Sequence, residues 1–201
     1  LIAVLDYGIG NLRSAEKALQ KVGADARLVD DPSAAAGASG VVLPGVGNFG
    51  RCIAALRESG LDRVALDAID AGTPFLGICV GMQMLYDDSE EALGVKGLGV
   101  LRGTNRLLPD DVKRPQMQWN TLDVAAPASA IVQQLDTPAW MYFVHSYAPD
   151  TDDGVVATCD YGGTVVAVAE RDNVWATQFH PEKSGRAGLQ LLRNFVDRCA
   201  A

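Results

Sequence analysis

The sequence predicts an α/β fold of three layers, with a mainly parallel sheet between helices and some antiparallel strands added. Three observations predict it. Short apolar runs alternate with segments of helical period through the first half of the chain, and a β-α-β-α order folds as a parallel sheet with right-handed crossovers. Glycine-rich turns, Gly8-Ile9-Gly10 and Pro44-Gly45-Val46-Gly47, follow two of these runs. The second half changes to short β runs separated by turn residues, which calls for antiparallel additions. With 201 residues, one such domain spanning 1–201 has a full core and leaves no room for a second large one.

Taken in order, residues 1–5 read as a buried strand. Asn11 is placed to cap a helix whose apolar stripe runs Leu12, Ala15, Leu19 and Val22. Residues 27–29 and 41–43 are short strands. Residues 53–69 are mostly helical, with a break near Ser59-Gly60. Residues 75–78 form a strand, and 81–86 start a helix. The β runs that follow are 99–101, 121–124, 142–147, 155–159, 165–170 and 174–179, and Glu170-Arg171-Asp172-Asn173 is a hairpin turn between the last two. A closing helix carries Leu189, Leu192, Phe195, Val196 and Cys199 on one face. There is no repeat, low-complexity tract or linker.

The bulk numbers exclude several functions. A net charge of −8 argues against nucleic-acid binding, which needs a basic surface. No apolar run approaches the roughly 20 residues of a membrane span. Asp6 and Gly8 interrupt the first apolar stretch, so no secretory leader is expected there. The four cysteines, Cys52, Cys79, Cys159 and Cys199, form no CxxC. That scatter fits a reducing, cytoplasmic setting and no structural metal.

The stretch Gly77-Ile78-Cys79-Val80-Gly81 has the form G-x-nucleophile-x-G at the junction of a predicted strand and helix. A strained turn there pushes the side chain out at the sheet's carboxyl edge, and the start of a helix favours a thiolate. A buried core cysteine is the alternative. The chain has two histidines. His180, in Gln178-Phe179-His180-Pro181-Glu182, has a carboxylate two residues on that can bond the far imidazole nitrogen. His145 has no carboxylate close in sequence and reads as structural, so His180 is the expected base. In Pro44-Gly45-Val46-Gly47, the glycines let a backbone N–H turn toward a ligand. Gly45, Val46 and Gly47 are therefore candidates for an oxyanion loop, with the Val80 N–H as second donor; an ordinary Pro-Gly turn is the alternative, and the better reading of the loop taken alone. The Asp6–Asn11 turn fails as a dinucleotide fingerprint, because its third glycine would fall at Arg13. No cofactor is expected.

Together these motifs resemble the class I (triad) glutamine amidotransferases. Asp6-Tyr7-Gly8-Ile9-Gly10-Asn11-Leu12-Arg13-Ser14, Pro44-Gly45-Val46-Gly47, Tyr142-Phe143-Val144-His145-Ser146-Tyr147 and His180-Pro181-Glu182-Lys183-Ser184 narrow the likeness to the glutaminase subunits of imidazole glycerol phosphate synthase. The resemblance covers essentially the whole chain, and the 6–14 block separates it from glutaminases serving other synthases. It implies a flavodoxin-like class I amidotransferase fold. It also implies hydrolysis of L-glutamine, with ammonia passed to a separate (β/α)₈-barrel cyclase subunit in a heterodimer for histidine biosynthesis. The positions matching nucleophile, base and orienter are Cys79, His180 and Glu182. Those matching glutamine-binding positions are Gly45, Gly47, Gln83, Glu91, Ser146 and Tyr147. Asn11, Trp119, Tyr142 and Lys183 match the subunit interface and ammonia passage. One segment departs from the family pattern: Gln116 stands for a usual histidine and Gln118 for a usual glycine. Strain or a shifted loop is expected at Gln118 if that glycine needs a positive φ.

Overall fold

A computed structural model describes residues 1–200. Its first half follows the expected alternation. β1 (Ile2–Leu5) leads to α1 (Leu12–Lys21) and β2 (Ala26–Val29), and β3 (Gly40–Gly45) leads to α2 (Phe49–Glu58) and α3 (Leu61–Asp70). β4 (Phe75–Cys79) runs directly into α4 (Val80–Leu85). The predicted helix over 53–69 divides at Ser59-Gly60. Next come β5 (Asp88–Ser89), β6 (Thr104–Leu107), β7 (Gln116–Thr121), β8 (Asp123–Val124), β9 (Trp140–His145) and β10 (Tyr147–Asp150). β11 (Val155–Asp160), β12 (Thr164–Arg171), β13 (Val174–Thr177) and α5 (Gly185–Cys199) close the order.

The main sheet has eight strands in the order β2-β1-β3-β4-β13-β12-β11-β8. The first five are parallel, in the 2-1-3-4-5 order of flavodoxin-like sheets once β13 is counted fifth. The last three are antiparallel additions. Every residue of β1, β3, β4 and β13 is buried, as befits parallel strands covered on both faces. α1 packs on α5, while α2 packs on α3 and α4, so helices cover the two faces. Phe75, Leu76 and Ile78 of β4 sit in one core cluster with Leu5, Leu43 and Leu85, and each such side chain stabilises by about 1.5–3 kcal/mol when buried. The hairpin turn at 170–173 is present, with Asp172 at φ 53 between β12 and β13.

Four expectations are corrected. Asn11 precedes α1, but its side chain makes no cap bond; it is turned instead toward Glu182, to which its Nδ2 donates. Residues 99–101 are not a strand. The N–H groups of Leu98, Val100 and Leu101 bond Met84 O and Leu85 O instead, satisfying carbonyls at the end of α4. The run 121–124 is split, since Thr121 pairs with β9 while Asp123 and Val124 pair with β11 in the main sheet. The run 142–147 is broken at Ser146, after which β10 pairs with β6 in a separate three-stranded sheet. β7, missed in the sequence, pairs antiparallel with β9 along its whole length. Gln118 lies within it opposite Phe143 and is not among the positive-φ residues, so it carries no such strain.

Candidate active site

Parallel strands all end on one edge, and ligands bind in the crevice there. The loops after β1, β3, β4 and β13 bring Asn11, the 44–47 turn, Cys79 and His180 to that edge. Cys79 ends β4 with φ 56 and ψ −113. A positive φ costs a non-glycine residue about 1–3 kcal/mol and persists only where the surroundings fix it. Here the β4 ladder fixes one side and α4 the other. The turn also requires glycine at position 81, where a Cβ would collide with the Leu43 carbonyl. That close approach brings β3 and the Cys79 turn together, with Gly45 in register with Cys79.

His180 is 1% exposed. Its Nδ1 lies 2.8 Å from Glu182 Oε1, and Asn11 Nδ2 donates to the same oxygen at 3.1 Å. His180 Nε2 is buried and makes no hydrogen bond among the described residues. Burial disfavours the charged imidazole, but the neighbouring Cys79 and the bonded Glu182 outweigh it and raise the pKa to about 9. Cys79 and His180 line the same cleft with no hydrogen bond formed between them, and catalytic hydrogen bonds are often long until substrate binds. The backbone of His180 is held by β9: its N–H bonds Tyr142 O at 3.0 Å, while Ser184 Oγ donates to His180 O and accepts from Tyr142 N.

Cys79 and His180 open on a cleft of about 260 Å³ lined also by Val46, Gly47, Val80 and Gln83. Glu91, Ser146 and Tyr147 line it further. That is below the roughly 300–1,000 Å³ of sites for drug-sized ligands and suits a small metabolite. Gly45 is not among the lining residues; it packs beneath them against the Val80–Gly81 peptide. Gln83 is buried, donating to Tyr147 O at 2.8 Å and to Gln178 Oε1 at 3.1 Å. Glu91 accepts from Phe49 N at 2.7 Å at the start of α2.

The sequence pattern of the family described as Glutamine amidotransferase class-I matches residues 3–199. The imidazole glycerol phosphate synthase subunit HisH of Syntrophotalea carbinolica is 46% identical over 206 residues, covering 98% of this chain and 100% of that protein. The chain belongs to the class I glutamine amidotransferases, in the HisH family. The HisH subunit of Methanothermobacter thermautotrophicus is 48% identical over 198 residues, 98% of each chain. A solved structure described as a crystal structure of glutamine amidotransferase superposes with a TM-score of 0.79 over 100% of this chain and 99% of its own. At 20% identity that likeness speaks for the fold.

In this amidotransferase the four positions matched to an interface lie around the His180–Glu182 pair. Asn11 bonds Glu182, and Lys183 follows it, exposed. Tyr142 meets Trp119 edge-on at 6.0 Å. His145 also lines the cleft, but both its ring nitrogens are engaged: Nδ1 lies 2.9 Å from Tyr147 O and Nε2 2.9 Å from the Gln116 carboxamide. Burial above all lowers its pKa to about 4. Sequence reasoning gave no role to Gln178, although its amide reaches within 3.9 Å of Cys79 Sγ and its oxygen orients Gln83. Its place two residues before His180 was the available signal. Nothing in the sequence pairs Asn105 with Gln83 O, which it holds at 2.9 Å.

Proposed function

We propose that this chain hydrolyses L-glutamine to glutamate and ammonia, with Cys79 as nucleophile, His180 as acid and base, and Glu182 as orienter. The observation that carries the reading is the cleft that joins Cys79, held at a positive φ, to a His180 already bonded to Glu182. The Cys79 thiolate attacks the side-chain carboxamide carbon. Loop and Val80 N–H groups hold the oxyanion. His180, protonated at neutral pH by its raised pKa, gives its proton to the departing ammonia and leaves a thioester. It then takes a proton from water, whose oxygen attacks the thioester and releases glutamate. Glu182 holds the ring through both steps. Gln83, Glu91, Ser146 and Tyr147 are placed to bind the rest of glutamine.

The relatives are named as subunits of imidazole glycerol phosphate synthase. We infer that this chain serves the same synthase in histidine biosynthesis, as one glutaminase unit in the cytoplasm. Its four free cysteines suit that compartment. Its partner is a (β/α)₈-barrel cyclase subunit docked over the edge that carries Asn11, Trp119, Tyr142 and Lys183. The test is glutamate release by the chain alone and with a cognate cyclase, beside Cys79→Ala. Hydrolysis should vanish in Cys79→Ala with the fold intact, and a glutamine-like diazo-ketone should label Cys79 alone. Labelling of Cys52, Cys159 or Cys199 with Cys79 untouched would refute the assignment.

A further inference from the structure

Two side chains that the mechanism does not use lie beneath the 44–47 loop. Tyr7, buried in the turn after β1, donates its hydroxyl to Pro44 O at 2.7 Å. Cys52, buried in the first turn of α2, donates its thiol to Val46 O at 3.3 Å. Burial raises the pKa of both groups, so both keep their protons and remain donors at neutral pH.

These two bonds fix peptide planes. A peptide is flat, and its C=O and N–H point in opposite directions. Holding Pro44 O sets the plane that carries the Gly45 N–H. Holding Val46 O sets the plane that carries the Gly47 N–H, which therefore points away from Cys52, and both Val46 and Gly47 line the cleft. Between them lies the Gly45–Val46 peptide, to which no side chain among the described residues is bonded. The loop has little room beneath it. A Cβ on Gly45 would stand 2.6 Å from Gly81 N and 3.0 Å from the Tyr7 hydroxyl, so loop, nucleophile turn and Tyr7 pack directly on one another.

We propose that Tyr7 and Cys52 are positioning residues for glutamine hydrolysis. By holding the carbonyls of Pro44 and Val46, they confine loop motion to the single Gly45–Val46 peptide and keep the loop N–H groups aimed at the developing oxyanion. Neither touches the substrate. The inference rests on the glutaminase reading above. Because a loop N–H matters most when charge develops on the carboxamide oxygen, loosening it acts on kcat and not on KM.

The experiment compares Tyr7→Phe, which removes one hydroxyl and little volume, with Cys52→Ala and Cys52→Ser, the last retaining a donor. Removing an oxyanion donor outright costs about 10²–10³ in kcat, so loosening one is expected to cost about tenfold. Tyr7→Phe and Cys52→Ala should show that fall with KM unchanged, at a temperature where thermal melts show all variants folded, and Cys52→Ser should recover most of it. Wild-type kcat in both Tyr7→Phe and Cys52→Ala would overturn the proposal, as would a Cys52→Ser variant as slow as Cys52→Ala. A wild type that consumes no glutamine, or a fully active Cys79→Ala, would instead overturn the glutaminase reading, so the two failures are distinguishable.

Discussion

The two histidines show how position sets the chemistry of one residue type. Burial leaves His145 neutral to about pH 4. A neutral ring has a single N–H for its two neighbours, so the Gln116 carboxamide serves Nε2 best with its NH₂ turned inward and its oxygen toward the Cys159 thiol. His180 has a carboxylate on one nitrogen and Cys79 near the other, and it holds its proton to about pH 9. The signs of the resulting pH dependence are opposite. Between pH 6.5 and about 4 the unfolded chain protonates at position 145 and the native chain does not, so stability is lost as the pH falls, by at most about 3 kcal/mol. At position 180 the stabilisation is full below about pH 6.5 and is lost as the pH rises through about 9. Thermal melts from pH 4 to 10 should therefore show a shallower acid limb for His145→Gln and a shallower alkaline limb for His180→Asn. Unchanged limbs in both variants would contradict these assignments. The sequence distinguished the two histidines because Glu182 stands two residues from His180. It did not reveal that Asn11 also serves Glu182, since local rules read an asparagine before a helix as its cap.

At the scale of elements, the parallel half was legible and the additions were only partly so, for a physical reason. β1, β3, β4 and β13 are buried throughout, so their composition announces them. β7 buries only Gln116 fully and is a strand because β9 pairs with it, a cause that lies outside its own residues. Residues 99–101 look like a strand, yet their N–H groups are drawn to the end of α4. The G-x-C-x-G stretch was legible because its glycine spacing records a close approach between elements. Gly81→Ala tests that cause. A Cβ there meets the Leu43 carbonyl, so β3 or the turn must move. Such overpacking destabilises by about 1–3 kcal/mol, with Tm falling about 2–4 °C for each kcal/mol in a chain of this size. The shift also displaces Cys79, so kcat should fall further than stability does. A variant with wild-type Tm and wild-type kcat would show that the turn has slack.

For the whole molecule, the sheet's carboxyl edge faces two demands: it must admit glutamine, and it must release ammonia without exposing it to protonation by bulk water. A partner seated on that edge meets the second demand, and one surface there is suited to a partner. β7 and β9 put Met117 beside Val144, Trp119 beside Tyr142 and Thr121 beside Trp140. Three of these large apolar side chains stay about half exposed, Met117 at 60%, Trp119 at 48% and Trp140 at 50%. Clustered exposure of this kind marks interaction surfaces, and buried tryptophans dominate such interfaces energetically. The same strands connect the surface to the chemistry, since Tyr142, which packs against Trp119, bonds the backbone of His180 through its own N–H and C=O partners. Trp119→Ala should therefore weaken association with the cyclase by at least about tenfold, the scale of an interface tryptophan, while leaving Tm near that of the wild type. Lys183 is exposed beside Glu182, and a charged rim residue tunes register more than affinity. Lys183→Ala should bind the cyclase nearly as well but consume more glutamine for each product the cyclase forms. Titration calorimetry and the ratio of glutamate to cyclised product measure the two effects separately. Wild-type affinity in Trp119→Ala together with a wild-type ratio in Lys183→Ala would move the partner to another face of the molecule.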